Sequence, residues 1–332
     1  MSNPVVVEVL RGTLVESRHR GAVAVSDADG ATVLAIGDVA TPIFPRSAVK
    51  TLQAIPLVES GAAAAYGFGD EELALACASH SGEPGHVAVV ERMVAKAGLD
   101  AAALCCGVHW PMSQAAAFAL AKTSAPSALH NNCSGKHAGF LCDACAMCVD
   151  HVGYWRPEHP VQCEVRGVLE DFTGVALSDD CRAVDGCSVP TWAIPLQNLA
   201  HAFAKFGTGH GLSPERARAA ARLRAACAQK PWHVAGTGRF CTEIMELFGA
   251  RVFVKTGAEG VYCGALPELG FGIALKCDDG TGRAAQAIMA ALIARLLPLE
   301  EAERAALMRF TRPTLRNWND IEVGALRVTE AI

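Results

Sequence analysis

The sequence has no stretch of about 18 uninterrupted apolar residues, the length a membrane-spanning helix requires, although 51% of its 332 residues are hydrophobic. It has no run of Lys or Arg, and its net charge is -5, so it has no basic patch to neutralise phosphates. Neither a membrane nor a nucleic acid is an expected partner. The start carries the short apolar run Val5-Val6-Val7 but no basic segment leading into a long apolar core, the pattern of an export signal. Internal repeats, low-complexity tracts and long charged linkers are also missing. The expectation is a soluble cytoplasmic protein of about two domains, or one large unit with room to bury polar groups. Cysteine, by contrast, is plentiful. In a chain without an export signal, fourteen cysteines read as reduced thiols, most of them small packing residues and some available to a metal.

β-Branched content and the turn Asp27-Ala28-Asp29-Gly30 predict strands over 5–15, 21–26 and 32–36. Residues 46–60 predict a helix that Pro56 kinks. From about 70 to 250 the chain turns Ala-rich, with helical segments over 71–78, 85–97, 113–122, 137–149, 160–172, 197–206 and 214–228. Strand patterns return over 251–255, 260–266 and 270–277, followed by an amphipathic helix over 282–297 and a last strand over 320–328. The expected fold class is α+β. An antiparallel sheet from the N- and C-terminal segments (1–60 and 251–332) carries flanking helices, and a mainly helical domain (61–250) is inserted into it.

Ser47-x-x-Lys50 places a hydroxyl and an amine one turn apart on a helix, a candidate nucleophile and base. Alone this spacing is common by chance. It gains weight from Lys255-Thr256-Gly257 at the end of a predicted strand, because S-x-x-K on a helix facing K-T-G on a strand resembles the serine β-lactamases and penicillin-binding proteins. Ser79, in Ala78-Ser79-His80-Ser81, falls between the two motifs and makes a second Ser–Lys pair with Lys255 conceivable; a turn serine and a solvated lysine are the simpler alternative. Asn131 to Gly139 crowds polar residues onto a Gly-punctuated helix start, suited to a small anion. Cys133 and Cys187 are possible zinc thiolates, with Lys136 or His137 nearby, although buried thiols explain two separated cysteines as well. Cys142-x-x-Cys145-x-x-Cys148 lacks the fourth cysteine and the proline of an iron–sulfur run and reads as helix packing. Arg46 is placed to pair a carboxylate, and Cys241 is a candidate to face the same pocket.

Taken together, Arg46 to Lys50, Cys77 to Ser81, Asn132 to His137, Asp185-Gly186-Cys187, Gly238 to Cys241 and Lys255-Thr256-Gly257 resemble the Rhizobium-type (class 3) L-asparaginases, in that family's order. The resemblance implies a fold related to serine β-lactamases and glutaminases, with two Ser–Lys pairs (Ser47 with Lys50, Ser79 with Lys255). It also implies one zinc ion held by Cys133, Lys136 and Cys187, and substrate contacts from Arg46, His80, His137, Asp185 and Cys241. The expected reaction is hydrolysis of L-asparagine through an acyl-enzyme on Ser47, in a protein expected to form a homodimer. Alternatives are a glutaminase or β-lactamase-like hydrolase, or a zinc-binding regulator without catalysis.

Overall fold

A computed structural model describes residues 2–332 of the chain. Segments rich in Val, Leu and Ile after Pro4 form β1 (Val5–Arg11), β2 (Leu14–Ser26) and β3 (Thr32–Ile36). The first predicted strand ran to residue 15, but Gly12 turns the chain at φ +57° and β2 begins at Leu14, so one long expected strand is instead a hairpin. The C-terminal part adds β4 (Phe253–Thr256), β5 (Val261–Leu266), β6 (Phe271–Cys277), β7 (Thr314–Arg316) and β8 (Glu322–Val328).

These strands make one eight-stranded sheet in the order β7-β8-β1-β2-β6-β5-β4, with β3 paired to the second half of β2. Every pairing is antiparallel. The last predicted strand joins the first, Val7 opposite Val328, so the two ends of the chain meet in mid-sheet. The fold is α+β, as expected.

Helices cover both faces. A side chain at Gly272 would run into Ala200, whose helix Leu196–Thr208 packs there through Leu199, Ala200, Phe203 and Phe206. Neighbouring strand residues point to opposite faces. Gly264, which pairs with Ile273, accordingly looks the other way, onto Met289 of the helix Gly282–Leu296. Helix Leu196–Thr208 falls within 61–250, yet it lies on the sheet rather than apart from it.

The remaining helices follow the Ala-rich pattern: Asp70–Ala76, Pro84–Lys96, Gln114–Ala121, Ser134–Ala146, Pro160–Thr173, Pro214–Gln229 and Phe240–Phe248. Ser134–Ala146 starts three residues before its predicted position because the Ser134 N–H closes a turn on Asn131. Helix Glu301–Thr311, capped by the Glu300 and Glu303 side chains, was not anticipated. Among the described residues no helix is long and apolar enough to cross a membrane.

The segment expected as one helix over 46–60 is three pieces. A 3-10 turn spans Arg46–Val49, followed by helices Lys50–Gln53 and Ile55–Glu59. The break falls at Ala54, where Pro56 sits in a first turn and its missing N–H leaves no bond unmade. The 3-10 turn has three residues per turn and keeps residues three apart on one side, so Ser47 and Lys50 still share a face.

Candidate active site

The strand carrying Lys255 ends against the 3-10 turn carrying Ser47. A Cβ on Gly257 would lie 2.6 Å from the Pro45 carbonyl and 3.3 Å from Ala48, so only glycine allows this approach. K-T-G and S-x-x-K are thereby brought together.

Three elements then converge on Ser79, which follows the Asp70–Ala76 helix and is fixed by its N–H to the Val234 carbonyl at 3.0 Å. Lys255 Nζ donates to Ser79 Oγ at 2.8 Å and to the Thr256 carbonyl at 3.0 Å. Lys50 Nζ donates to the Ala78 carbonyl at 2.6 Å, to Ser79 Oγ at 3.1 Å and to the Asn132 carbonyl at 3.4 Å. Both amines are buried. Burial, with the charge of Lys50 next in weight, lowers the pKa of Lys255 to about 7. Lys255 is therefore a buried amine with a substantial neutral fraction at neutral pH, bonded to a serine. Ser47 is half-buried, and the bonds of Lys50 go to Ser79 and to carbonyls, not to the Ser47 hydroxyl.

Arg46, at φ 51°, grips Asp185 bidentately, with Nε to Oδ2 at 2.9 Å and Nη2 to Oδ1 at 3.3 Å. Burial raises the Asp185 pKa, but the Arg46 hydrogen bond, with the charges of Lys136 and Arg46, holds it below the ordinary carboxylate value. Two residues expected to contact the substrate thus hold each other.

Beside them lies the sulfur cluster. Lys136 Nζ donates to Cys187 Sγ at 3.2 Å, and Cys133 and Cys187 face each other. A hydrogen bond from Cys187 draws the Cys133 thiol well below its usual pKa against the effect of burial, while the same bond raises Cys187. Burial disfavours charge on Lys136, but the sulfurs and Asp185 outweigh it and raise its pKa. Among the described residues no three His, Cys, Asp or Glu side chains gather to hold a metal; the polar group beside the two sulfurs is the Lys136 amine. Two sulfurs and one amine suit a borderline-soft ion such as zinc, provided the amine gives up its proton.

His80 is wholly buried and accepts from the Gly82 N–H through Nδ1 at 3.1 Å, which leaves Nε2–H for Ser134 Oγ at 2.9 Å. Burial, helped by the charges of His86 and Lys50, holds its pKa far below the usual value; it is a neutral brace beside Ser79. Tyr154 accepts from the Cys105 N–H and donates to His137 Nδ1 at 2.6 Å. His137 Nε2 is buried without a partner. Cys241 is buried with Sγ 3.9 Å from the Tyr262 hydroxyl, close enough to influence Lys255.

The carbonyls of Ala78 and Asn132, and Tyr154, Tyr262 and Arg239, were not read from sequence. Backbone carbonyls leave no sequence signal, but Arg239 stands inside the noted Gly238 to Cys241 stretch. Of the three spaced cysteines, Cys142 is buried in its helix with Sγ on the Met93 carbonyl at 3.4 Å, and Cys148 is exposed beyond the helix end.

No curated protein matches the chain. Similar solved structures include Mglu in its native form, 17% identical over 90% of this chain and 70% of that one, with a TM-score of 0.39. Another is a β-lactamase from Mycobacterium bovis, 14% identical over 83% of this chain and 94% of that one, with a TM-score of 0.42. The family model described as L-asparaginase II matches residues 7–328, nearly the whole length, and the chain belongs to that family of amidohydrolases.

Proposed function

We propose that the protein hydrolyses L-asparagine to L-aspartate and ammonia through an acyl-enzyme on Ser47. The observation that carries this reading is the Lys50–Ser79–Lys255 chain ending on an amine that titrates near 7. Of the two serines, Ser47 is the more accessible and its hydroxyl does not bond Lys50, whereas Ser79 is buried between two amines. Lys50 first yields a proton through the Ser79 hydroxyl to neutral Lys255, and Ser47 Oγ then attacks the side-chain amide carbon as the neutral Lys50 amine takes its proton. Ser79 and Lys255 pass a proton to the departing ammonia and later take one from the attacking water. Contacts at catalytic groups often tighten only with substrate bound, and here Lys50 closes on Ser47 after passing its proton to Ser79.

Asp185, oriented by Arg46, takes the substrate ammonium, and His137, whose Nε2–H is buried without a partner, is a further donor for the substrate. Cys133, Cys187 and Lys136 would hold zinc. When bound, zinc supplies a fixed positive charge that positions the substrate. The site lies in the cytoplasm, where the fourteen free thiols stay reduced. The protein is a homodimer, for which the Ala-rich helix Gln114–Ala121, without a buried residue and with Phe118 63% exposed, offers a surface.

Ammonia release from asparagine and glutamine, with intact-mass detection of an acyl adduct, tests the reading. Ser47→Ala is expected to lose turnover by at least about a thousandfold and to form no adduct. An adduct that survives in Ser47→Ala moves the nucleophile to Ser79, and inertness of the wild type toward both amides overturns the reading.

A further inference from the structure

An α-amino acid brings a carboxylate as well as an ammonium and an amide. The cation flanking Ser47, Arg46, has its Nε and Nη2 donors engaged by Asp185. Lys50, Lys136 and Lys255 are buried and directed at carbonyls, Ser79 and Cys187.

Arg239 differs from all of these. It stands directly before the Phe240–Phe248 helix, half-buried, and makes one long hydrogen bond, Nη1 to Ser81 Oγ at 3.4 Å. Its partner Ser81 is two residues from Ser79 and already donates its proton to the Ala235 carbonyl at 2.8 Å. No carboxylate pairs with Arg239 among the described residues, whereas Arg46, Arg92, Arg216, Arg222 and Arg251 each hold one. Its bond to Ser81 places it on the Ser79 side of the site, where its charge is felt by Lys255 and by the Tyr262 hydroxyl. A guanidinium carries five donors in a fork that matches a carboxylate, and most of this one's are unspent.

We propose that Arg239 is a specificity-determining residue that binds the α-carboxylate of the substrate, so that Asp185 and Arg239 each read one charged end while the amide lies at Ser47. This inference rests on the amidohydrolase reading above. It adds that the site prefers a free α-carboxylate to the same molecule with that charge capped.

The test compares ammonia release from L-asparagine and from L-asparagine α-methyl ester, which keeps the ammonium and the side-chain amide but lacks the anion. Wild type is expected to prefer the free acid through KM. In Arg239→Gln the KM for asparagine rises about tenfold to a hundredfold and kcat changes less, a loss typical of charge-assisted hydrogen bonds. The preference over the ester falls by the same factor. Arg239→Lys, which keeps the charge without the fork, recovers part of it. If both substrates decline in parallel in both variants and the preference stays at the wild-type ratio, Arg239 is structural and the inference is overturned. A wild type that releases ammonia from neither substrate overturns the catalytic reading, and this inference with it; activity with an unchanged ratio overturns the inference alone.

Discussion

Lys255 and Lys136 are both buried, yet burial has opposite outcomes for them. Around Lys255 the neighbours are a second ammonium, a hydroxyl and a carbonyl, so desolvation goes uncompensated and the pKa drops to about 7. Around Lys136 stand two sulfurs and Asp185, and these outweigh desolvation and keep the amine charged. Burial sets the scale of a pKa shift, and the sign of the nearest charges decides its direction. One site is thus suited to moving protons, the other to holding charge until a metal displaces a proton.

The sharpest way to break this comparison is Lys255→Met. A neutralised amine in a dry site costs stability and serves chemistry, so this variant is expected to lose at least about a thousandfold in kcat while its Tm rises by about 2–5 °C. The direction follows from the depressed pKa. Below pH 7 folded and unfolded chains both carry the proton and the buried charge costs its full amount; that cost fades as pH climbs from about 7 toward 10.5. Wild-type kcat/KM is correspondingly expected to rise with pH through about 7. A variant that is inactive but no more stable at pH 7, or a flat wild-type profile, contradicts the assignment of Lys255 as a neutral base.

Cys133→Ala is expected to act more gently. Loss of one sulfur donor empties the zinc site, read as metal per chain by elemental analysis, and raises the KM for asparagine about tenfold with a smaller change in kcat. Wild-type zinc affinity should fall as pH falls, since Lys136 must be deprotonated to join the sulfurs. Full zinc occupancy in the variant would leave the three-donor clasp without support.

Most of the sheet was legible because β-branched content and turn residues are local signals: β3, β5 and β6 lie within one residue of their predicted ends. The miss at Gly12 came from a glycine that reads as tolerable in a strand and was needed at positive φ for a turn. The candidate site was legible as residue types but not as a wiring diagram. Ser47-x-x-Lys50 suggested a pair by spacing, whereas the orientation of Lys50 is set by the carbonyls of Ala78 and Asn132, donated by segments 28 and 82 positions away. Arg46 and Asp185, 139 positions apart, each looked free for a substrate because nothing local reveals their partner. Long-range pairing decided which polar groups are spent, and with them the unspent status of Arg239.

Asp143, on the same helix as Lys136, supplies the smallest and cleanest test of the lesson drawn from the two lysines. Both its carboxylate oxygens are buried without a hydrogen-bond partner. Burial is the leading cause of a pKa raised from 3.8 to about 6, opposed by the Ser60 hydroxyl and assisted by the charge of Glu164. With a raised folded-state pKa, the unfolded chain gives up the proton first, so stability is intact below about pH 4 and declines as pH rises to about 6. Asp143→Asn fixes the side chain in a neutral form. Its Tm relative to wild type is expected to climb by about 4 °C between pH 4 and pH 7, since the linkage energy is divided by the large unfolding entropy of a chain this long. Thermal unfolding of the two proteins across that range reads the slope directly. A constant difference at every pH would mean that an unseen partner compensates Asp143 as the sulfurs compensate Lys136, and would move it from the class of Lys255 to the class of Lys136.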